Sequence, residues 1–333
     1  MDLKQELLRI TATYFENTID YGRLTTSSKA YGDLLKRIID TELDHREARE
    51  DIHFNNGKAL GPLWAAMCLD DIMRTRQFVR GIEKAFKDKI KTNTKLQVLY
   101  AGTGPFATLL LPVLLRYPNA NISYTFLEIN PISLKLVKHV VSTLGLDNYD
   151  ISFVQDDASC YRYGAQQPDI IISETMQRAL DKEQQVPIFY NLMQQAKPEA
   201  IFIPEKIKLF LATQTKGIPS LDLGNTHYHK LVQVYEVSKE SMIDSVDTNA
   251  LHFPKVNTVI NKDQLKERSQ LYVLTDIQVY EDEHLLVNQS GLTVPKPIPH
   301  HYDDFNSDLH ITTQYCVGAV PELEVSIQTT QLA

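Results

Sequence analysis

A turn rich in glycine follows the first strongly apolar segment of the chain. The turn contains Gly102 and Gly104. Glycine permits a tight turn and lets the main chain approach a ligand closely, as nucleotide sites at the ends of parallel strands require. The next apolar segment ends at Glu128, whose carboxylate can accept hydrogen bonds from both hydroxyls of a ribose. These features together predict a nucleotide-binding site.

Two classes of cofactor fit this pattern. The two glycines and Ala107 satisfy the dinucleotide pattern G-x-G-x-x-A, and Glu128 lies 26 residues after the first glycine. An NAD(P)-dependent oxidoreductase is therefore one interpretation. Asp156 or Asp157, at the end of the third apolar segment, can accept a hydrogen bond from an adenine amino group. This disposition is similar to that of S-adenosylmethionine (SAM) enzymes. The combination of an arginine with a His–Asp pair that hydride transfer would need is not recognisable in the sequence.

Five short apolar segments predict the sheet that must position these groups. They are residues 96–102, 122–129, 151–157, 169–174 and 200–212. Continuous apolar strands with helical stretches between them are typical of a parallel sheet covered on both faces. We therefore expect a doubly wound, Rossmann-like α/β domain over residues 61–205.

The regions on either side have different patterns. Residues 1–60 predict helices with one apolar face, formed by Tyr31, Leu34, Leu35, Ile38 and Ile39. We expect a packing or oligomerisation region there, with a homodimer as a hypothesis. Residues 206–333 are rich in β-branched residues and turn signals and predict an antiparallel sheet or β-barrel. The strands expected there include residues 271–280, 284–294, 309–320 and 323–332.

Composition excludes several classes of function. Lys and Arg number 34 against 42 Asp and Glu, a net charge of −8, which argues against a nucleic-acid partner held by phosphate contacts. We expect no membrane span, because no apolar run approaches about 18 residues. The first ten residues lack the apolar stretch of a signal peptide, so a cytoplasmic location is expected. No metal site is predicted, because the pairs His227/His229 and His300/His301 lack a third clustered ligand.

The fourth apolar segment carries the most specific motif. Residues 168–176, PDIIISETM, closely resemble a strand and its following loop in protein arginine methyltransferases. In that family a glutamate ends the strand and a second lies nine residues further on; here they are Glu174 and Glu183. The resemblance implies that both act on a guanidinium, with Met176 beside the substrate. Two carboxylates can draw the positive charge of a guanidinium away from one nitrogen and leave its lone pair free to attack a sulfonium methyl.

Two further stretches support this resemblance. Residues 69–75, LDDIMRT, are similar to the helix whose arginine pairs with the cofactor's carboxylate in the family, which implies that role for Arg74. Residues 200–205, AIFIPE, resemble the strand that leads into the family's β-barrel. The barrel of the family also carries a Thr-His-Trp loop beside the substrate, and His310 is the best candidate for its histidine.

Some positions differ from the family pattern. Tyr100 stands where an aspartate usually precedes the glycines, Phe106 replaces the third glycine, and Cys68 replaces a common methionine. Arg178 lies between the two glutamates and is expected to be able to pair with one of them. No helical dimerisation arm is recognisable in the barrel region.

The resemblance implies a SAM-dependent N-methyltransferase acting on a guanidino nitrogen of arginine. Glu128 would bind the ribose, Asp156 or Asp157 the adenine, and the two glycines the methionine end of the cofactor. Because the barrel region is short and its substrate loop is poorly matched, we favour free arginine or a small guanidino compound over a protein. Three alternatives remain open: a protein arginine methyltransferase, a nicotinamide-dependent oxidoreductase and a catalytically silent binding module.

Overall fold

A computed structural model provides the architecture of the chain. The residues that it describes are 2–40, 42–91, 95–118, 121–215, 228–242, 253–265, 268–299 and 307–329. None of the helices within these ranges combines the length and apolar content needed to cross a bilayer.

Two helices open the chain and cover the central domain. Helix α1 (Leu3–Ile10) continues into a 3-10 turn (Thr11–Phe15), and α2 spans Tyr21–Ile39. The five residues of the predicted apolar face of α2 are all buried. The Tyr31 hydroxyl donates to the Thr108 carbonyl at 3.0 Å. That face therefore packs within the chain and is not free for a dimer contact, and the homodimer stays a prediction.

A small hairpin and two helices lead into the sheet. After a 3-10 turn (Arg46–Arg49), strands β1 (Ile52–Phe54) and β2 (Gly57–Ala59) pair antiparallel. Helix α3 (Pro62–Met67) and a 3-10 turn (Cys68–Asp70) precede the long helix α4 (Ile72–Ile90). Most of α4 is buried because it lies between the central sheet and the C-terminal strands.

The central sheet has five parallel strands. In chain order the elements are β3 (Leu96–Ala101), α5 (Leu111–Leu114), β4 (Ile122–Leu127), α6 (Pro131–Thr143), β5 (Asp150–Val154), β6 (Ile170–Ser173), α7 (Gln185–Gln195) and β7 (Ile201–Ile203). The strand order is β5-β4-β3-β6-β7, so the first strand is central. Successive strands are added on one side of β3 as far as β5 and then on the other side from β6, which reverses the strand order between β3 and β6. Such a reversal leaves a crevice at the carboxyl ends of these two strands, where ligands bind in this fold. The predicted Rossmann-like sheet is confirmed.

The remaining strands form two antiparallel sheets. The elements are β8 (Lys206–Thr215), β9 (Tyr228–Ser238), β10 (Val256–Ile260), α8 (Lys262–Leu265), β11 (Arg268–Tyr280), β12 (Glu283–Leu285), β13 (Lys296–Pro297), β14 (Leu309–Cys316) and β15 (Glu322–Thr329). One sheet has the order β12-β11-β8-β9, with β13 beside β11, and the other has the order β10-β14-β15. Tyr235 of the first stacks on Tyr315 of the second, with ring centroids 4.5 Å apart. This packing agrees with the barrel-like expectation.

Two predicted strands differ from the structure. The segment 200–212 is interrupted at Pro204, since proline cannot donate to a sheet ladder, and β7 and β8 belong to different sheets. The prediction of a strand over residues 284–294 was wrong. Within this region Glu283–Leu285 pairs with β11, and Gly291–Thr293 forms a 3-10 turn that Ser290 caps. The domain boundaries at residues 60 and 205 stay a prediction.

Candidate active site

A cavity of about 560 Å³ opens at the carboxyl ends of β3 and β6. Nine of the ten predicted site residues line it. They are Arg74, Gly102, Gly104, Glu128, Asp156, Asp157, Glu174, Met176 and Glu183. Residues from five separate stretches of sequence thus converge on one cavity, which no single motif could establish.

The glycine turn forms one wall of the cavity. Gly102 and Gly104 have φ angles of 73° and 59°, in the left-handed region that favours glycine. A Cβ atom on Gly102 would lie 2.5 Å from Cγ2 of Thr175. The turn is therefore packed directly against the loop that follows β6.

Glu128 holds this turn in place. Its two carboxylate oxygens accept hydrogen bonds from the main-chain N–H groups of Gly104 at 2.8 Å and Asn130 at 2.9 Å. Burial raises the pKa of Glu128, and these main-chain hydrogen bonds oppose that effect. The Ile129 N–H and the Thr103 hydroxyl also donate to this carboxylate, so its lone pairs are largely engaged.

Arg74 and Glu174 form a buried ion pair. Asp71 caps α4 by accepting a hydrogen bond from the Arg74 N–H at 3.1 Å. The Arg74 guanidinium donates through Nη1 to the Cys68 carbonyl at 3.1 Å and through Nη2 to Glu174. The two side chains are only 9% and 5% exposed. The Arg74 Nε atom is buried without a hydrogen-bond partner among the described residues, which leaves one donor for a ligand.

The loop between the two glutamates is anchored to the C-terminal strands. The Ala179 N–H donates to Oγ1 of Thr275 at 2.9 Å, and the Tyr315 hydroxyl donates to the Leu180 carbonyl at 2.7 Å. Ala179 and Leu180 both have φ angles of 58°, which non-glycine residues adopt only when their surroundings hold them there. The C-terminal sheets therefore fix the path that the chain takes toward the second glutamate.

The β1–β2 hairpin braces the same loop from the other side. The Lys58 N–H donates to the Lys182 carbonyl at 3.0 Å, and Nε2 of Gln184 donates to Oδ1 of Asn56 at 2.7 Å. Nδ2 of Asn56 donates in turn to Oγ of Ser159 at 3.0 Å. The N-terminal region, expected from sequence to serve packing or oligomerisation, also contributes to the cavity wall.

Glu183 lies in this braced loop and is 6% exposed. Burial raises its pKa to about 7, although a hydrogen bond from Gln177 and the positive charges of Lys58 and Arg74 oppose the shift. The carboxyl group can therefore change its charge near neutral pH. A buried acid of this kind in a cavity is typical of a functional site.

The two aspartates follow β5. Asp156 is exposed and accepts a hydrogen bond from the Asp157 N–H at 2.8 Å, while Asp157 accepts one from the Ser159 N–H at 2.8 Å. Both line the cavity, which therefore extends along the sheet edge from the end of β6 to the end of β5.

His310 is not part of this cavity. It lies on β14 between Val259 and Gln328 of the neighbouring strands, and its side chain is exposed. The C-terminal region instead contributes Gly291, Leu292 and Val294. A histidine inside a strand pattern does not reach the cavity, whereas these residues lie in and beside a turn that does.

Asp71 holds this turn against α4. Its Oδ2 atom accepts hydrogen bonds from the Ser290 hydroxyl at 2.6 Å and from the Gly291 N–H at 2.8 Å. The Gln-Ser-Gly turn signal within the predicted strand 284–294 could have revealed this arrangement.

Arg178 also differs from expectation. It makes no ion pair with either glutamate, and its Nη1 atom lies 3.5 Å from the Pro295 carbonyl. Within the described ranges no group of three His, Cys, Asp or Glu side chains could hold a metal ion. His227, His300 and His301 lie outside those ranges.

Comparisons with known proteins agree with this architecture. The sequence matches no protein-family model and no curated protein. Its structure is similar to that of Trypanosoma brucei PRMT1, solved as an enzyme–prozyme heterotetrameric complex with AdoHcy. The match has a TM-score of 0.52 and 12% sequence identity, and it covers 80% of this chain and 92% of that chain. The chain thus has the fold of a protein arginine methyltransferase.

Proposed function

We propose that this protein is a SAM-dependent N-methyltransferase that modifies a guanidino nitrogen of free arginine or of a small guanidino compound. One observation carries the proposal: Glu174 and Glu183, nine residues apart in sequence, line the same cavity as the glycine turn. Carboxylates of this kind suit a guanidinium, which is planar, permanently charged and rich in N–H donors. The fold that the chain shares with an arginine methyltransferase agrees with this assignment.

The cavity residues fit SAM. A Cβ atom on Gly102 would collide with Thr175, and the buried Nε donor of Arg74 has no partner among the described residues. Arg74 would pair with the carboxylate of the cofactor, the glycines would contact its methionine portion, and Glu128 would accept hydrogen bonds from its ribose. Asp156 or Asp157 would accept one from its adenine. When bound, SAM supplies an electrophilic methyl group on a sulfonium sulfur.

The chain's own residues would then prepare the guanidinium. Glu174 and Glu183 would accept its N–H groups and hold the positive charge on two of its nitrogens, which localises a lone pair on the third. Their buried setting strengthens this effect, because charges interact more strongly away from water. The anchoring of their loop by Thr275 and Tyr315 fixes both acids before the substrate arrives.

Isothermal titration calorimetry with S-adenosylhomocysteine and with NADH tests the cofactor assignment. We expect saturable binding of the first and none of the second. A dinucleotide fingerprint opens directly into a helix, whereas helix α5 begins only at Leu111, seven residues after Gly104. Tight binding of NADH alone would support the oxidoreductase instead and overturn the proposal.

Gly102→Ala is expected to abolish S-adenosylhomocysteine binding. An alanine at a φ of 73° is strained by about 1 kcal/mol, and its Cβ atom would push Thr175 and the loop of Glu174 away from the turn. Calorimetry on the variant checks the loss. Gly145→Ala is a matched control, because Gly145 also has a positive φ, of 65°, but has open space around its Cβ position. Equal affinity in both variants would contradict the proposed contact between the glycine turn and the cofactor.

A further inference from the structure

Three positively charged side chains line the cavity, and two of them already have acidic partners. Lys58 pairs with Asp51 at 2.6 Å, and Arg74 pairs with Glu174. Arg178 is the third. It has no acidic partner among the described residues, so its full charge remains available to an incoming anion.

Arg178 is well placed to recognise a substrate. It lies on the loop between the two glutamates, four residues after Glu174 and five before Glu183. The residues that follow it, Ala179 and Leu180, are fixed to the C-terminal strands, so the base of its side chain has a defined position. The side chain itself is exposed, and its Nη1 atom lies 3.5 Å from the Pro295 carbonyl.

The charges of the cavity therefore suit a molecule with a cation at one end and an anion at the other. Glu183, which makes no ion pair with a described basic residue, suits the cation together with Glu174, whose Oε2 atom is shared with Arg74. Arg178 suits a carboxylate, which guanidinium groups bind through two parallel hydrogen bonds. We propose that Arg178 binds the carboxylate of a small guanidino acid, such as free arginine, whose guanidinium lies between Glu174 and Glu183. This inference rests on the proposed function, and it names the substrate class of that site.

A peptide-linked arginine fits this arrangement less well. Its carboxyl carbon belongs to an uncharged amide, so Arg178 would gain no charged partner. Arginine- and glycine-rich peptides would also bring further positive charges close to Arg178, and like charges brought together at an interface are costly.

Comparison of L-arginine with agmatine tests the proposal, since agmatine keeps the guanidinium but lacks the carboxylate. We expect the wild-type kcat/KM to be at least about tenfold higher for arginine, because a hydrogen bond to a charged group contributes about 1.5–3 kcal/mol. In Arg178→Met the ratio of arginine to agmatine should fall to about one. Arg46→Met, which changes an arginine that is 88% exposed and whose acidic partner among the described residues is Glu50, should keep the wild-type ratio.

A binding measurement supplies a second readout. Calorimetry of arginine with protein loaded with S-adenosylhomocysteine should show at least about tenfold weaker binding in Arg178→Met than in Arg46→Met. A wild-type ratio near one, an unchanged ratio in Arg178→Met, or a preference for an Arg-Gly-rich peptide over arginine would overturn the proposal. If none of these guanidines accepts a methyl group, the proposed function fails, and the calorimetric comparison of Arg178→Met with Arg46→Met decides the role of Arg178 by itself.

Discussion

Glu183→Gln is expected to lower the rate of methyl transfer to arginine by about two to three orders of magnitude. Glutamine has nearly the same shape as glutamate but cannot carry the negative charge that localises the charge of the guanidinium. Because Glu183 makes no ion pair with a described basic residue, the variant should keep the fold and the affinity for S-adenosylhomocysteine. Single-turnover kinetics and calorimetry check these two expectations. Glu199→Gln, at an exposed glutamate, is the control.

The pH dependence of the same reaction gives an independent signature. Burial raises the pKa of Glu183 to about 7, so the group is neutral below that pH and ionised above it. The guanidinium must be held by the ionised form of Glu183, so kcat/KM of the wild type should rise as pH increases through about 7. In Glu183→Gln this rise should disappear. A variant that retained both the rate and the pH profile would exclude Glu183 from the chemistry.

Arg74→Met should destabilise the protein by about 3–5 kcal/mol, the usual cost of leaving one member of a buried ion pair alone. The Glu174 carboxylate is 5% exposed and would lose the guanidinium that compensates its charge. The variant should also lose affinity for S-adenosylhomocysteine, since Arg74 is the residue proposed to hold the carboxylate of the cofactor. Urea unfolding monitored by circular dichroism measures the loss of stability.

The double variant Arg74→Met/Glu174→Gln separates the two roles of this pair. Removing both charges leaves no uncompensated ion, so most of the lost stability should return, whereas ligand affinity and methyl transfer should not. Recovery of S-adenosylhomocysteine binding in the double variant would show that Arg74 acts only by neutralising Glu174. It would remove this residue from the proposed cofactor site.

Much of the central domain could be predicted because its signals are local. Buried parallel strands require continuous apolar runs, and β6 is such a run, with three successive isoleucines that are all fully buried. A turn that needs positive φ requires glycine, which Gly102 and Gly104 supply. The carboxyl ends of parallel strands lie at one edge, so Glu128 and Glu174 could be placed together from sequence alone.

The C-terminal region was less predictable because antiparallel strands pair across long separations, and no local pattern states which residues approach a distant cavity. His310 shows the result: its strand was found, but its position relative to the site was not. The turn that lines the cavity in place of His310 lies within the segment 284–294, whose apolar residues predict a longer strand.

The sequence by itself determined the identity and spacing of the acids, the glycine turn and the parallel sheet that brings them to one edge. Tertiary structure alone decided which charges are compensated. Arg74 pairs with Glu174, and the loop of Glu183 is held by the β1–β2 hairpin and by the C-terminal strands. Arg178 has no acidic partner among the described residues. The physical reason is that the strength of a charge depends on its burial and on its partners, and both come from residues far away in the sequence.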